Sequence, residues 1–72
     1  MQFPQRVLLS RQGSNDDVQG FVMTLPHEGE SLQMFLDNGR VMRTSPVTHI
    51  EDDGAELIVD TLNSRYHVKL AS

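Results

Sequence analysis

Hydrophobic and polar residues alternate along most of this chain with a period of two, which is the spacing of a β-strand with one buried face. The alternation is clearest in the C-terminal third, where it runs over residues 55–62 and resumes over residues 65–70. No segment shows the 3.6-residue period of an amphipathic helix. We therefore expect an all-β fold with no helix longer than a turn.

The last two of these segments predict a β-hairpin. A two-residue loop at 63–64 (Asn-Ser) sets the register by counting outward, which places Val59 opposite Val68 and Asp60 opposite His67. In this register the apolar residues of one inner face meet those of the other, and Asp60 with His67 forms an outer charged pair. The agreement of the two inner faces indicates a true hairpin.

A second hairpin is predicted around Asn-Gly at 38–39, because both central residues of a type I′ turn need positive φ. A two-residue loop here pairs Asp37 with Arg40, which closes the turn with opposite charges. It also pairs Phe35 with Met42 and places both on the face opposite to the other apolar residues of the strand. A strand that is apolar on both sides indicates either a strongly bent strand in a small barrel or an exposed apolar strip.

The remaining strands are separated by turn signals. Pro46 cannot donate to a β-ladder, so it marks a strand end, a bulge or a sheet edge. Apart from the segment that directly follows the Asn-Gly turn, the predicted strands are Arg6–Arg11, Val18–Leu25, Ser31–Leu36, Val47–Glu51, Ala55–Leu62 and 65–70. Five to six short strands at this spacing are typical of a small barrel or a rolled antiparallel sheet, in one domain over residues 1–72.

Composition indicates the cellular compartment in which the chain would work. The chain has 72 residues, no cysteine, ten acidic residues against six basic ones, and a formal charge of −4. Without cysteine it has no disulfide and suits a reducing compartment. The first residues lack the apolar stretch of a signal peptide, and no apolar run is long enough to cross a membrane. We expect a cytoplasmic protein.

The sequence contains no motif that identifies a catalytic activity or a ligand. It has no Gly-x-Ser-x-Gly elbow and no glycine-rich phosphate loop. The histidines at 27, 49 and 67 lack metal-ligand spacing, and the acidic turn at 51–54 lacks the alternating ligands of a calcium loop. We expect a protein that is not an enzyme and that holds no metal or cofactor.

Binding of another protein is the function that the sequence favours. Five of the six basic residues are arginine, which is enriched at protein interfaces. The predicted protein-binding residues are Phe35, Arg40, Met42, Arg43, Pro46 and Arg65. A second candidate is an acidic face that could meet a basic groove; its residues are Glu51, Asp52, Asp53, Glu56 and Asp60.

Two alternatives stay open. The first is a nucleic-acid-binding barrel that would use Phe35, Arg40, Arg43 and Arg65. The net negative charge disfavours it, and so do the expected inward positions of Phe21 and Tyr66, which leave few aromatic side chains for base stacking. The second is a structural subunit that self-associates through an open sheet edge.

The stretches SLQMFLDNGRVMRTSPVTHI (31–50) and VDTLNSRYHVKL (59–70) resemble a group of short, mostly uncharacterised bacterial and phage proteins. These share a Gly-Arg-x-x-Arg-Thr-Ser-Pro-Val segment followed by an Asn-Ser-x-Tyr hairpin. The matching residues are Gly39, Arg40, Arg43, Thr44, Ser45, Pro46, Val47, Asn63, Ser64 and Tyr66. The resemblance covers about the last forty residues and implies a small SH3-like barrel in a bacterial or phage setting.

The chain is also similar to phage-encoded regulators that bind host RNA polymerase, in its size, its acidity and its lack of catalytic and metal-binding motifs. This likeness implies a small regulator that docks on a larger nucleic-acid machine and modulates transcription. The Asn-Gly hairpin after an apolar strand resembles Sm-like barrels as well. The chain departs from them because it has no leading helix and no late Arg-Gly motif, so ring assembly and RNA binding of that kind are not expected.

Overall fold

Six antiparallel strands form most of residues 2–71, the part of the chain that this computed structural model describes. They are β1 Gln5–Arg11, β2 Asp17–Val22, β3 Ser31–Leu36, β4 Val41–Asp52, β5 Glu56–Thr61 and β6 Arg65–Leu70. Each strand pairs with the next, and β6 pairs with β1, so the sheet closes into a barrel. The prediction of an all-β fold, a small SH3-like barrel, is confirmed. No helix in residues 2–71 is long and apolar enough to cross a membrane.

The inside of the barrel is filled by apolar side chains from every strand. The buried core consists of Val7, Leu9, Val22, Leu32, Met34, Val47, Leu57, Val59 and Val68. Phe3, Val18, Leu36, Met42, Ile50 and Tyr66 are partly buried and pack against it. Burial of this apolar surface is the main stabilising contribution in a chain with no disulfide.

Strand β2 crosses very close to β3 at Gly20. A Cβ atom on this residue would lie 2.4 Å from the carbonyl oxygen of Phe35 and 3.0 Å from Cε of Met34. Only glycine fits at this distance, because the contact is with backbone that cannot rotate away. The close approach is local, since the β2–β3 ladder contains the pairs Gly20–Leu36 and Phe21–Phe35 alone among the described residues.

Strand β4 is long because it serves two neighbours. Its first half pairs with β3 and its second half, from Val47 onward, pairs with β5. Pro46 lies at the change of partner, inside the strand, so the prediction that it ends the strand is wrong and the prediction of a bulge is confirmed. It stands opposite Ser31, where the pairing register of β3 and β4 shifts. A bulge bends a strand, and this bend lets β4 turn from one wall of the barrel to the next.

The buried side chain of Thr44 completes the hydrogen bonding at this bulge. Its Oγ1 accepts a hydrogen bond from the N–H of Leu32 at 3.0 Å and donates one to the carbonyl oxygen of Ser45 at 2.8 Å. The side chain therefore ties β3 to β4 where their pairing register shifts.

The β3–β4 hairpin differs from its prediction by one residue. Phe35 pairs with Val41 and Met34 pairs with Met42, across a loop that runs over 37–39. Gly39 has φ +87°, and no described residue other than glycine has positive φ, so the turn is not type I′. A three-residue loop with glycine in the left-handed region gives this register.

The one-residue shift reverses the faces that the sequence predicted for part of this hairpin. Met42 lies on the inner side with Met34 and packs against the core, so its predicted place beside Phe35 on an outer strip is wrong. The predicted Asp37–Arg40 pair is also absent: Asp37 instead bonds Arg6 of β1 at 2.7 Å.

The β5–β6 hairpin differs from its prediction by two residues. Asp60 pairs with Arg65 and Val59 with Tyr66, because the N–H of Thr61 bonds the carbonyl oxygen of Ser64 and the two-residue loop is 62–63 rather than 63–64. A shift of two keeps each side chain on its predicted face. Val59 therefore stays in the core, but the predicted pairing of Asp60 with His67 is wrong.

Candidate docking surface

Three large apolar residues lie in a line across the outside of β2, β3 and β4. Phe21 is the register partner of Phe35, which is the partner of Val41, and their exposed fractions are 42%, 43% and 50%. Met23, just past the end of β2, is 51% exposed. We call Phe21, Met23, Phe35 and Val41 the outer apolar face.

The predicted inward position of Phe21 is wrong. Strand β2 has apolar residues on both sides, with Val18 and Val22 on one and Phe21 and Met23 on the other. Gly20 shares the side of Val22, and its close contact with β3 turns that side inward. The signal in the sequence was a lone glycine, Gly20, between Val18 and Val22 on the same side of the strand. An isolated glycine inside a strand marks a close backbone approach.

Arginines surround the outer apolar face. Arg6 is the register partner of Phe21 and is held by its ion pair with Asp37. Arg43 lies on the strand next to Phe35, opposite Gln33, and Arg40 follows the β3–β4 turn. Within residues 2–71, neither Arg40 nor Arg43 has a carboxylate within ion-pair distance. Both guanidinium groups are exposed and remain available to a partner.

The structure divides the predicted protein-binding residues between different places. Phe35 and Arg43 lie on the outer side of β3 and β4, and Arg40 lies at the end of the β3–β4 turn, opposite Leu36. Met42 lies inside the barrel. Pro46 is exposed beside the β5–β6 turn, where its carbonyl oxygen accepts the N–H of Leu62 at 3.2 Å. Arg65 lies on β6 and bonds Asp60.

The predicted acidic face lies on β4, β5 and the turn between them, but its carboxylates are mostly engaged within the fold. Arg65 donates two hydrogen bonds to Asp60, at 2.6 Å and 3.2 Å. These hold the pKa of Asp60 below its usual value of 3.8 and raise that of Arg65. Glu56 lies 2.5 Å from Nδ1 of His67, and Glu51 lies 3.6 Å from His49.

The two aspartates of the β4–β5 turn shape the turn itself. Asp52 accepts the N–H of Gly54 at 2.9 Å, and Asp53 accepts those of Ala55 and Glu56 at 2.9 Å and 2.8 Å. The bond from Glu56, followed by that from Ala55, lowers the pKa of Asp53. These carboxylates have a structural explanation, so the acidic face is a weaker docking candidate than the outer apolar face.

Shallow depressions open on the surface of the barrel. One of about 200 Å³ lies at a barrel end and is lined by Leu9, Arg11, Ser14, Asp16, Val18, Met42 and Tyr66. Another, of about 180 Å³, adjoins the outer apolar face through Met23 and Phe35. Within the described residues, no three histidine, aspartate or glutamate side chains come close enough to hold a metal ion.

Comparison with protein-family models, curated proteins and solved structures finds no match to this chain. The functional interpretation therefore depends on the geometry of the surface and on the sequence resemblance, which stays a prediction.

Proposed function

We propose that this protein is a non-enzymatic protein-binding module that docks on a larger protein through its outer apolar face. The observation that carries the proposal is the line of Phe21, Phe35 and Val41 across three neighbouring strands, each more than two-fifths exposed. Single exposed apolar residues are ordinary, but a contiguous apolar patch with a polar rim is typical of an interaction site.

The charges at the rim indicate the chemistry of the partner. Arg40 and Arg43 have no ion pair within residues 2–71, and Asp37 on the β3–β4 turn is paired with Arg6. Arginine is favoured at interfaces because its weakly hydrated, planar group binds carboxylates bidentately. We therefore propose a partner surface that has an apolar centre and at least one acidic residue facing Arg40 or Arg43.

In its most specific form, the proposal is that the protein is a small regulator of the bacterial cytoplasm, for which the resemblance implies a bacterial or phage origin. It would occupy a surface of a larger nucleic-acid machine such as RNA polymerase and modulate transcription. Its support is the sequence resemblance to short bacterial and phage proteins and the likeness in size and acidity to phage-encoded regulators. The barrel and its face support docking in general.

The test uses purified bacterial RNA polymerase immobilised on a biosensor. The docking variant is Phe35→Ser combined with Val41→Ser, and Arg40→Ala with Arg43→Ala is the charge variant. Leu62→Ser is the matched control, since Leu62 is 69% exposed on the β5–β6 turn, away from the face. We expect wild type and the control to bind alike, and the docking variant to bind at least tenfold more weakly.

Failure of wild-type protein to bind polymerase overturns the specific form. Equal binding by the docking variant and the control overturns the outer apolar face as the binding surface.

A second candidate is binding of single-stranded nucleic acid, which the outward position of Phe21 favours. Phe21 and Phe35 lie side by side in the register, flanked by Arg6 and Arg43, and exposed aromatic rings beside arginines can stack bases. Titration with a fluorescent single-stranded oligonucleotide at two salt concentrations decides between protein docking and nucleic-acid binding. A steep loss of affinity with salt, removed by Phe21→Ser, supports this candidate; no binding at low salt excludes it.

A further inference from the structure

The seam between β2 and β3 is the weakest in the barrel. The two strands share two register pairs, whereas β1 shares six with β2 and five with β6. After Val22 the chain leaves β3, although β3 begins at Ser31 and its first residues still pair with β4. One side of the first half of β3 therefore has no neighbouring strand.

The peptide groups on that side can be assigned from the hydrogen bonds on the other. Leu36 donates to Arg40 and Leu32 donates to Thr44, so these alternate residues direct their peptide groups toward β4. The residues between them point to the opposite neighbour, since successive residues of a strand alternate. Ser31 and Gln33 therefore direct their N–H and C=O groups toward the position that β2 has left.

The loop between β2 and β3 does not occupy these groups. Glu30 donates to the carbonyl of His27 within the loop at 3.2 Å. The other backbone hydrogen bonds of the loop lie on the β4 side, where Gly29 donates to the carbonyl of Val47 at 2.8 Å and Val47 donates to that of Glu30 at 2.9 Å. Within the described residues, no backbone hydrogen bond joins Ser31 or Gln33 to residues 23–25. The edge is available for pairing.

A groove of about 180 Å³ lies along this edge. Its walls are Met23 and Leu25 on the β2 side and Ser31, Gln33 and Phe35 on the β3 side. Met23 and Phe35 also belong to the outer apolar face, so the groove continues the docking surface. Glu30 lines the groove and Glu28 lies on the same turn, and neither has an ion pair within residues 2–71.

We propose that this groove receives an extended segment of the partner protein, which adds antiparallel to β3 at Ser31 and Gln33. The inference rests on the proposed function and names the form of the partner's contact. The segment needs free backbone N–H and C=O groups for the edge and an apolar side chain for Met23, Leu25 and Phe35. It also carries a basic residue at its C-terminal end, because an antiparallel segment ends beside Glu28 and Glu30.

Amide hydrogen exchange of the free protein tests the edge itself. We expect the amides of Ser31 and Gln33 to exchange fast, and those of Leu32 and Met34 between them to be protected. Equal protection of all four residues would mean that the edge is already occupied and would overturn the proposal.

Titration with a capped pentapeptide, TVTVK, followed by amide chemical shifts tests the binding. We expect shifts at Ser31, Gln33 and residues 23–25, and their loss with the same peptide N-methylated at its valines. Glu28→Gln with Glu30→Gln should weaken binding about two- to fivefold, as for an exposed ion pair. Shifts that persist with the methylated peptide, or that appear only at Val41 and Phe21, overturn strand addition while leaving the docking face in place. The absence of any chemical shift change at millimolar peptide also overturns strand addition. The docking face is then tested independently by the RNA polymerase binding assay.

Discussion

The β3–β4 and β5–β6 hairpins look alike in sequence but are built in different ways. Each has an Asn-led turn followed by arginine. The first turn depends on the positive φ of Gly39, whereas the second depends on the side chain of Thr61, whose Oγ1 bonds the N–H and C=O of Ser64. The first hairpin has an apolar outer face, and the second has an outer face of paired charges.

The difference shows that a hairpin's outer surface follows from its loop. A loop of three residues moved the β3–β4 pairing by one and placed Val41 outside and Met42 inside. A two-residue loop at 62–63 instead of 63–64 moved the β5–β6 pairing by two and kept every face, but it exchanged the charged partners. The second hairpin has its ion pairs satisfied within the fold. The first hairpin leaves the side chains of Phe35 and Val41 exposed to solvent, and docking is proposed there for this reason.

The largest expected effect comes from breaking the support of the first hairpin. Gly20→Ala would place a methyl group 2.4 Å from the carbonyl oxygen of Phe35, so β2 must move away from β3. We expect a loss of about 3 kcal/mol or more in the free energy of unfolding, at the upper end for overpacking. Urea denaturation measures it, with Gln19→Ala, an exposed position on the same strand, as the control. A loss below about 1 kcal/mol would show that the two strands have room to separate.

The buried threonines allow a direct comparison of the two hairpins. Thr44→Val removes the hydroxyl that bonds the N–H of Leu32 in a buried position, whereas Thr61→Val frees the groups of the half-buried Ser64, which water can reach. We expect losses of about 2 kcal/mol for the first and about 1 kcal/mol for the second. Thermal denaturation of both variants checks the order. A larger loss for Thr61→Val would place the more critical hydroxyl in the second hairpin.

The turns themselves should respond differently to alanine. At φ +87° Gly39→Ala forces a side chain into the left-handed region, and we expect a loss of about 1 kcal/mol. Asn63→Ala meets no such strain, because Asn63 does not have positive φ, and we expect a loss within about 0.5 kcal/mol. Equal losses from parallel urea titrations would contradict the distinction between a turn set by φ and one set by a side chain.

Much of the fold could be predicted from the sequence, because strand periodicity and turn residues are local signals. They predicted the barrel and the inner positions of Leu57, Val59 and Val68, and they gave a bulge as one of three alternatives for Pro46. The register of the first hairpin could not be predicted, since Asn-Gly suits both a two-residue and a three-residue loop. A strand that is apolar on both sides gives no local preference between them.

The candidate site was predicted less well for the same reason. The sequence predicted an exposed position for Phe35, but those of Val41 and Phe21 were missed because each depends on register or on a contact between strands. The face of Phe21 is decided by the approach of Gly20 to β3, which is a tertiary contact. Thr61 was likewise expected only as an inner position, and its role in the loop appears once Ser64 is close enough to bond it.

The smallest expected effect concerns the charged face of the second hairpin at low pH. The hydrogen bond from Arg65 lowers the pKa of Asp60 below 3.8, so ionised Asp60 favours the folded state. This contribution is fully present above the unfolded value near pH 4 and is lost as the pH falls through the lower folded pKa. Between pH 4 and about pH 2, wild type should therefore lose stability faster than Asp60→Asn, which has no proton to bind.

Arg65→Ala tests the cause, because it keeps the carboxyl group but removes the donor. Its Asp60 should titrate nearer to 3.8, and its stability should depend less on pH over the same range. Urea unfolding at a series of acidic pH values measures the slopes, and NMR of the side-chain carboxyl carbons measures the titration. Unchanged slopes in both variants would mean that the Asp60–Arg65 pair does not stabilise the fold, and the contrast between a hairpin of internal pairs and a hairpin with free arginines would then depend on Glu56 and His67 alone.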